Sequence, residues 1–581
     1  MRDRILARPA RALLMGASML VLAACGGGGD SAAPTPPPVV VTPPPPPPPP
    51  TVDSTKMETR AEAARFLRMA GLGADEDAVT ALTDADAADW VVNQMAIAPQ
   101  SHLEDLASRL VEDDAKNRDS SMLIYERLIG SDAQLRTRMA FALSQIFVLS
   151  DRDDFNRGYD LANYYDILNR NAFGNYRDIL GEVTTNPMMG DYLTFLYNQK
   201  GDPNTGRQPD ENYARELMQL FTIGLVELNM DGTVKTGADG NPIETYGNDD
   251  VVGLARVFTG YALAGTSYRW RDRAPDAWRQ PMAMYDEYHS QLEKSFLGTT
   301  IPANTPGERS VELALDAVFA HPNVAPFVSR QLIQRFTASH PEPDYVERVA
   351  QAFEAGSYTS ENGRSFGTGE RGDLSATLAA VLLDESVHDD RRVSTEGKVR
   401  EPVLKFTQFA RTYAKPETKV LVDGEWNRLA DTSDPITRLG QSPMKSPSVF
   451  NFYRPGYVAP GTQTGASGLT APELQIVGAG SALGYVNLMT DYILRQDDHW
   501  EGTIIPDFTE ELRLADAPEA LINLIDLRLT AGGLSDDTRA AMTEVIEALP
   551  IREANADTDR RSRVRMAVLM ALTSPEYMAL D

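Results

Sequence analysis

The chain is organised around Asp210-Glu-Asn-Tyr-Ala-Arg-Glu-Leu-Met-Gln-Leu-Phe-Thr-Ile-Gly224, a run that reads as one helix with both ends specified. Pro209 and Asp210 suit its start, where a side-chain oxygen caps free N–H groups and a carboxylate meets the positive end of the dipole. Gly224 suits the left-handed residue that follows a last turn. Tyr213, Leu217, Leu220 and Phe221 recur at helical spacing and form an apolar stripe. Asn212, Glu216 and Gln219 form a second, polar stripe, with Arg215 beside it.

Beyond this helix the period changes. Segments 228–233 and 242–246 carry the turn pairs Asp231-Gly232 and Asp239-Gly240, which predict a hairpin or two tight turns. Elsewhere helical spacing dominates. Helices are expected over 57–70, 85–95, 131–150, 158–172 and 187–198, then over 248–261, 310–320, 324–338, 344–355, 372–384 and 396–414. Four more are expected over 480–494, 518–529, 536–549 and 560–573. Segments 266–291 and 440–472 are irregular and rich in aromatics, and the first is a candidate site-forming insertion. No internal repeat or boundary interrupts 56–581. The fold class expected is mainly α: one large multi-helical domain with a small β-hairpin insertion after the central helix.

The 581 residues are 42% hydrophobic, enough for a substantial core, and carry a net charge of -28. Such acidity argues against nucleic acid as a partner, since neutralising phosphates needs a basic footprint. At the amino terminus, Arg2, Arg4, Arg8 and Arg11 precede a short apolar stretch over 13–22. That is the pattern of an export signal rather than of a spanning helix. Leu22-Ala23-Ala24-Cys25 follows and resembles the bacterial lipobox. The resemblance implies a lipoprotein signal peptide over 1–24, cleavage before Cys25, and lipidation of Cys25, the chain's one cysteine. Multiple acyl chains would anchor the protein to a membrane. Residues 25–55 are rich in glycine and proline, with eight consecutive prolines from Pro43. They predict an extended, semi-rigid stalk.

The chemistry-bearing residues are few. Six histidines include no pair at ligand spacing on a helix, and clustered cysteines are absent, which argues against a conventional zinc site. His289, five residues before Lys294 in an aromatic and acidic stretch, is the candidate catalytic histidine. Its plainer alternative is a structural hydrogen bond. Asp231, Asp239 and Asp250, with Asn229, offer oxygen ligands near tight turns. Calcium is therefore a candidate cofactor, although turn formation explains the same residue types. No Gly-x-Ser-x-Gly elbow, phosphate loop or dinucleotide fingerprint is present. If the polar stripe is buried, Glu216 needs a cation, and Arg215, Arg256 and Arg330 are the candidates. The stripe is then a buried lock on helix register, or else the wall of a site in which Glu216 and Arg215 act beside Asn212, Glu211 and Gln219.

Taken together, the 210–224 run, Asp231-Gly232-Thr233, Asp239-Gly240 and Ala255-Arg256-Val257-Phe258-Thr259-Gly260-Tyr261 resemble the bacterial domain-of-unknown-function 1800 family. His321-Pro322-Asn323-Val324-Ala325-Pro326-Phe327, Gly397-Lys398-Val399-Arg400-Glu401-Pro402 and Ser446-Pro447-Ser448-Val449-Phe450-Asn451-Phe452-Tyr453 extend the likeness over the whole body. The family's usual His-Asp pair stands here as His289-Ser290, which weakens any mechanism needing an aspartate at 290. The family carries no established activity. The resemblance implies an exported bacterial protein and, as partner, an exported protein of the domain-of-unknown-function 1501 family. The function expected is an uncharacterised, lipid-anchored cell-envelope protein that binds or assists another exported protein. The alternatives are an envelope hydrolase using His289 with nearby carboxylates, and a calcium-stabilised polymer binder.

Overall fold

The structure, a computed structural model, describes residues 55–151, 157–388, 397–415, 418, 429, 431–494 and 504–580. The chain divides into two units, Met1–Val52 and Asp53–Asp581, and every described residue belongs to the second. The signal peptide expected over 1–24, Cys25 and nearly all of the stalk expected over 25–55 lie outside the described residues.

The body is mainly α-helical, as expected. Helices such as Arg60–Ala70, Gly158–Arg170, Gly307–Phe319, Val324–Phe336 and Pro518–Thr530 fall where apolar periodicity places them. Their sheets are two-stranded and antiparallel, for example Lys294–Phe296 against Thr299–Ile301. One apolar core runs from Met57 to Leu580. The last strand, Ala579–Leu580, pairs with Lys398–Val399, so the carboxy-terminal helices close onto the middle of the chain. Next to that pairing the enclosed Lys398 ammonium donates to the enclosed Glu473 carboxylate at 2.5 Å.

Helices that the periodicity does not reveal have tertiary causes. Asn117–Gly130 is buried nearly all round, including Asn117, Asp119, Ser120 and Ser121, so it shows no polar face to read. His102–Arg109 takes part of its cap from a remote carboxylate: Asp166 accepts from the N–H groups of His102 (2.7 Å) and Leu103 (3.1 Å). Glu76–Leu82 and Tyr176–Thr185 are likewise added to the expected set. Conversely, the helix expected over 187–198 ends at Tyr192, because Thr194 and Tyr197 adopt left-handed backbone conformations at φ 63° and 64°.

That early stop serves the central helix. The Asp210 N–H donates to Asn198 Oδ1 (3.0 Å), and Thr194 Oγ1 donates to Asp210 Oδ2 (3.0 Å). Asp210 Oδ1 in turn accepts from the Asn212 N–H at 2.8 Å, the capping role its position implies. The helix starts as α over Asn212–Glu216 and widens into a π-helical segment over Leu217–Thr222. Thr222 Oγ1 donates to the Leu217 carbonyl, and the Ile223 N–H reaches back to Met218 O at 2.9 Å. A hydroxyl competing for a backbone acceptor favours such a widened turn. Gly224 follows at φ 70°. Beyond it, 225–246 forms an antiparallel meander through the pairings Val226–Glu244, Leu228–Val234 and Thr236–Pro242. The expected hairpin insertion is therefore present, with tight turns at Asn229–Thr233 and Gly237–Asn241.

The apolar stripe sits in an aromatic core. Tyr213 stacks on Phe195 with ring centroids 4.1 Å apart and meets Phe258 edge-on at 4.8 Å. Phe221 lies 5.3 Å from Phe147. Each such pair contributes roughly 0.5–1.5 kcal/mol beyond area burial. Leu220 departs from the stripe: it is only half-buried, and it sits within the π segment, whose wider turn breaks the 3.6-residue spacing of the stripe.

Candidate functional site

The shifted register turns Gln219 and Leu220 toward a cavity of about 380 Å³. Five stretches of chain build it. The central helix supplies Gln219 and Leu220; the meander supplies Leu225, Val226, Leu228 and Val234; helix Val324–Phe336 supplies Phe327, Arg330, Gln331 and Arg335. The loop 449–456 closes one wall with Val449, Phe450, Asn451 and Tyr453, and Gln145 and Ile146 complete it.

Buried hydrogen bonds hold these walls. Tyr453 Oη donates to Gln145 Oε1 at 2.9 Å, and Gln145 Nε2 donates to the buried Glu401. Gln334 Nε2 reaches the Pro455 carbonyl at 2.9 Å, tying the helix to the loop. Arg335, 2% exposed, donates from Nη1 to Gln331 O and from Nη2 to Gln145 O, both at 3.0 Å. Arg330 has no hydrogen bond or ion pair with any described residue, and burial pulls its pKa below the usual arginine value. The lining contains no carboxylate.

The polar stripe separates into three environments. Gln219 lines the cavity. Asn212 and Glu211 are half-exposed at the helix start; Asn212 Nδ2 lies 3.5 Å from Thr194 Oγ1, and Glu211 pairs with Arg215 at 3.2 Å. Glu216 is 6% exposed, and its Oε2 has no hydrogen-bond partner. Burial raises its pKa, while the adjacent Arg215 charge pulls the other way. The ion pair expected for Glu216 is therefore not formed. Arg215 turns back one helical turn to Glu211, Arg256 donates to the Glu293 carbonyl at 3.1 Å, and Arg330 faces the cavity.

His289 and Lys294 lie elsewhere and are enclosed, each 0% exposed. His289 Nδ1 is 2.9 Å from Thr259 O, and Nε2 is 3.3 Å from Ser310 Oγ. Burial lowers the imidazole pKa, partly offset by the Thr259 carbonyl and reinforced by the Lys294 charge. Lys294 Nζ donates to Leu292 O at 3.3 Å. Ser290, which follows His289, donates its backbone N–H to Thr259 Oγ1 at 2.9 Å. Neither His289 nor Lys294 lines the cavity with Gln219.

The three candidate calcium ligands are not gathered. Asp231 accepts from the Thr233 N–H (2.9 Å) and hydroxyl (2.6 Å), and Asp239 from the Asn241 N–H (3.1 Å) and amide (2.8 Å). Asp250 accepts from the N–H groups of Gly247 (2.8 Å) and Leu297 (2.7 Å). Among the described residues, no group of three or more His, Cys, Asp and Glu side chains is placed to hold a metal ion. Turn formation accounts for Asp231 and Asp239, and helix capping together with the Leu297 N–H accounts for Asp250.

Sequence reading missed Gln331, Arg335 and Asn451, and named Arg330 only as a partner for Glu216. The available signal was two arginines and two glutamines inside the apolar helix Val324–Phe336, too many polar groups for a core helix without a polar destination.

No curated protein and no solved structure matches the chain. A family model described as protein of unknown function (DUF1800) matches residues 65–579, and the chain belongs to that family.

Proposed function

We propose that this is an exported, lipid-anchored protein of the cell envelope that binds a ligand and assists another exported protein. The observation that carries the binding reading is the cavity itself, about 380 Å³, walled by apolar side chains with a few converging polar groups, against the helix that marks the family. The enclosed positions of His289 and Lys294 favour binding over hydrolysis, because neither side chain is open to a substrate. The meander exposes Leu225, Met230, Val234 and Ile243, of which Leu225 and Val234 also line the cavity, and these give a partner protein an apolar surface to contact. Anchoring rests on Leu22-Ala23-Ala24-Cys25 and the proline stalk. Among the described residues no helix is long and apolar enough to cross a membrane, so attachment would come from lipid on Cys25.

The test is a labelled-palmitate incorporation and fractionation experiment with copurification. The wild-type chain is expected in the membrane fraction carrying label, together with an exported protein of the domain-of-unknown-function 1501 family. Cys25→Ser is expected to lose label and membrane attachment. An unlabelled wild-type chain that purifies alone and turns over a small substrate would refute the proposal.

A further inference from the structure

We infer that the cavity beside the central helix binds an amphipathic organic carboxylate, with its apolar body against Ile146, Leu220, Phe327 and Phe450 and its head at Arg330. The inference rests on the binding reading above and adds the ligand's chemical class.

The argument is an imbalance of donors and acceptors. Gln331 and Asn451 line the cavity at 4% and 8% exposure, and the amide nitrogen of each lacks an acceptor. Arg335 Nε lacks one too. The guanidinium of Arg330, with no acceptor among the described residues, adds a fork of further donors. A buried donor without an acceptor is costly, so the cavity is matched to a guest that brings acceptors. No Asp or Glu lines the cavity, so that guest also supplies the missing negative charge. A carboxylate does both with two oxygens in the plane of a guanidinium fork, and it has no donor of its own to leave unsatisfied. A cationic or donor-rich guest would face the arginines and orphan amides unfavourably. Apart from Gln145, Gln219 and a further cation, Arg454, the rest of the lining is mostly aliphatic and aromatic, and about 380 Å³ holds one small molecule rather than a polymer segment.

Calorimetric titration on the Cys25→Ser chain, which carries no lipid and needs no detergent, tests this. The probes are decanoate, decanol and decyltrimethylammonium. Decanoate is expected to bind at least about tenfold more tightly than decanol, with decyltrimethylammonium weakest. Arg330→Gln is expected to remove the preference for decanoate while leaving decanol binding unchanged, and Arg330→Lys to restore part of it. Unchanged thermal melting of Arg330→Gln separates loss of the head contact from loss of fold. Equal binding of decanoate and decanol, full decanoate affinity in Arg330→Gln, or no binding of decanoate would each overturn the assignment. Because the titration does not depend on anchoring or on a partner, its failure is distinguishable from failure of membrane attachment or copurification.

Discussion

Asn323 staples the end of the central helix to the start of the meander. Its amide nitrogen donates at 2.8 Å to Ile223 O and at 2.8 Å to Val226 O, while its Oδ1 accepts from the Leu228 N–H at 2.9 Å. One enclosed side chain thus satisfies three backbone groups that neither helix nor hairpin pairs for itself.

Replacing Asn323 with alanine leaves those three groups without partners. Asn323→Ala is expected to lower unfolding free energy by about 2–4 kcal/mol. Urea denaturation measures it, and a loss below about 1 kcal/mol would mean that water replaces the side chain.

Gly224 combines two constraints that can be separated. Its φ is 70°, and a Cβ there would lie 2.9 Å from the Phe327 ring. Gly240 has φ 80° with nothing within 4 Å of a Cβ. Gly240→Ala is expected to cost about 1 kcal/mol for backbone strain alone, and Gly224→Ala about 2–4 kcal/mol, since Phe327 must also move. Equal losses in thermal melts would remove packing against Phe327 from the account.

Glu216 should make stability depend on pH in a definite sense. Its folded pKa is raised above the ordinary 4.5 by burial, with Arg215 opposing. Below the unfolded value both states hold the proton and no penalty exists; the penalty grows as pH rises through the folded pKa. Glu216→Gln is therefore expected to be the more stable chain at pH 8, by roughly 1 kcal/mol, with the difference vanishing near pH 4. Chemical denaturation at both values decides; a stabilised wild type at pH 8 would reveal a cation pairing with Glu216.

His289 gives the opposite pH dependence. Its folded pKa lies below the ordinary 6.5, chiefly because it is buried. The folded state resists its protonation, so stability is intact above pH 6.5 and falls as pH drops from there toward the folded pKa. His321 and His340 are lowered for the same reason and add to the slope. His289→Gln is expected to flatten the fall between pH 7.5 and pH 5 and to cost about 1–3 kcal/mol at pH 7.5 through Thr259 and Ser310. An unchanged pH slope would show that His289 is not the group resisting protonation.

Much of the architecture was legible along the chain because it depends on neighbours in sequence. The helical period, the Asp210 cap, the left-handed Gly224 and the Asx turns at Asp231 and Asp239 are all local events, decided by spacing and backbone sterics. Helix Asn117–Gly130 escaped because burial on every side erases the amphipathic signal. The early end of the helix at Tyr192 escaped because Asn198 and Thr194 are recruited by Asp210, sixteen residues beyond Thr194.

The central helix shows the division most clearly. By itself the sequence determined that residues 210–224 form a capped helix with one apolar and one polar stripe, and that the body is mainly helical. Only the tertiary structure decided what each polar residue does. The π segment turns Gln219 and Leu220 into a cavity, Glu216 is sealed without a partner, and Arg330, more than a hundred residues away, arrives with no carboxylate to meet it. Spacing along a helix sets which face a side chain occupies. What that face meets depends on packing between distant segments, whose donors and acceptors must balance in space rather than along the chain.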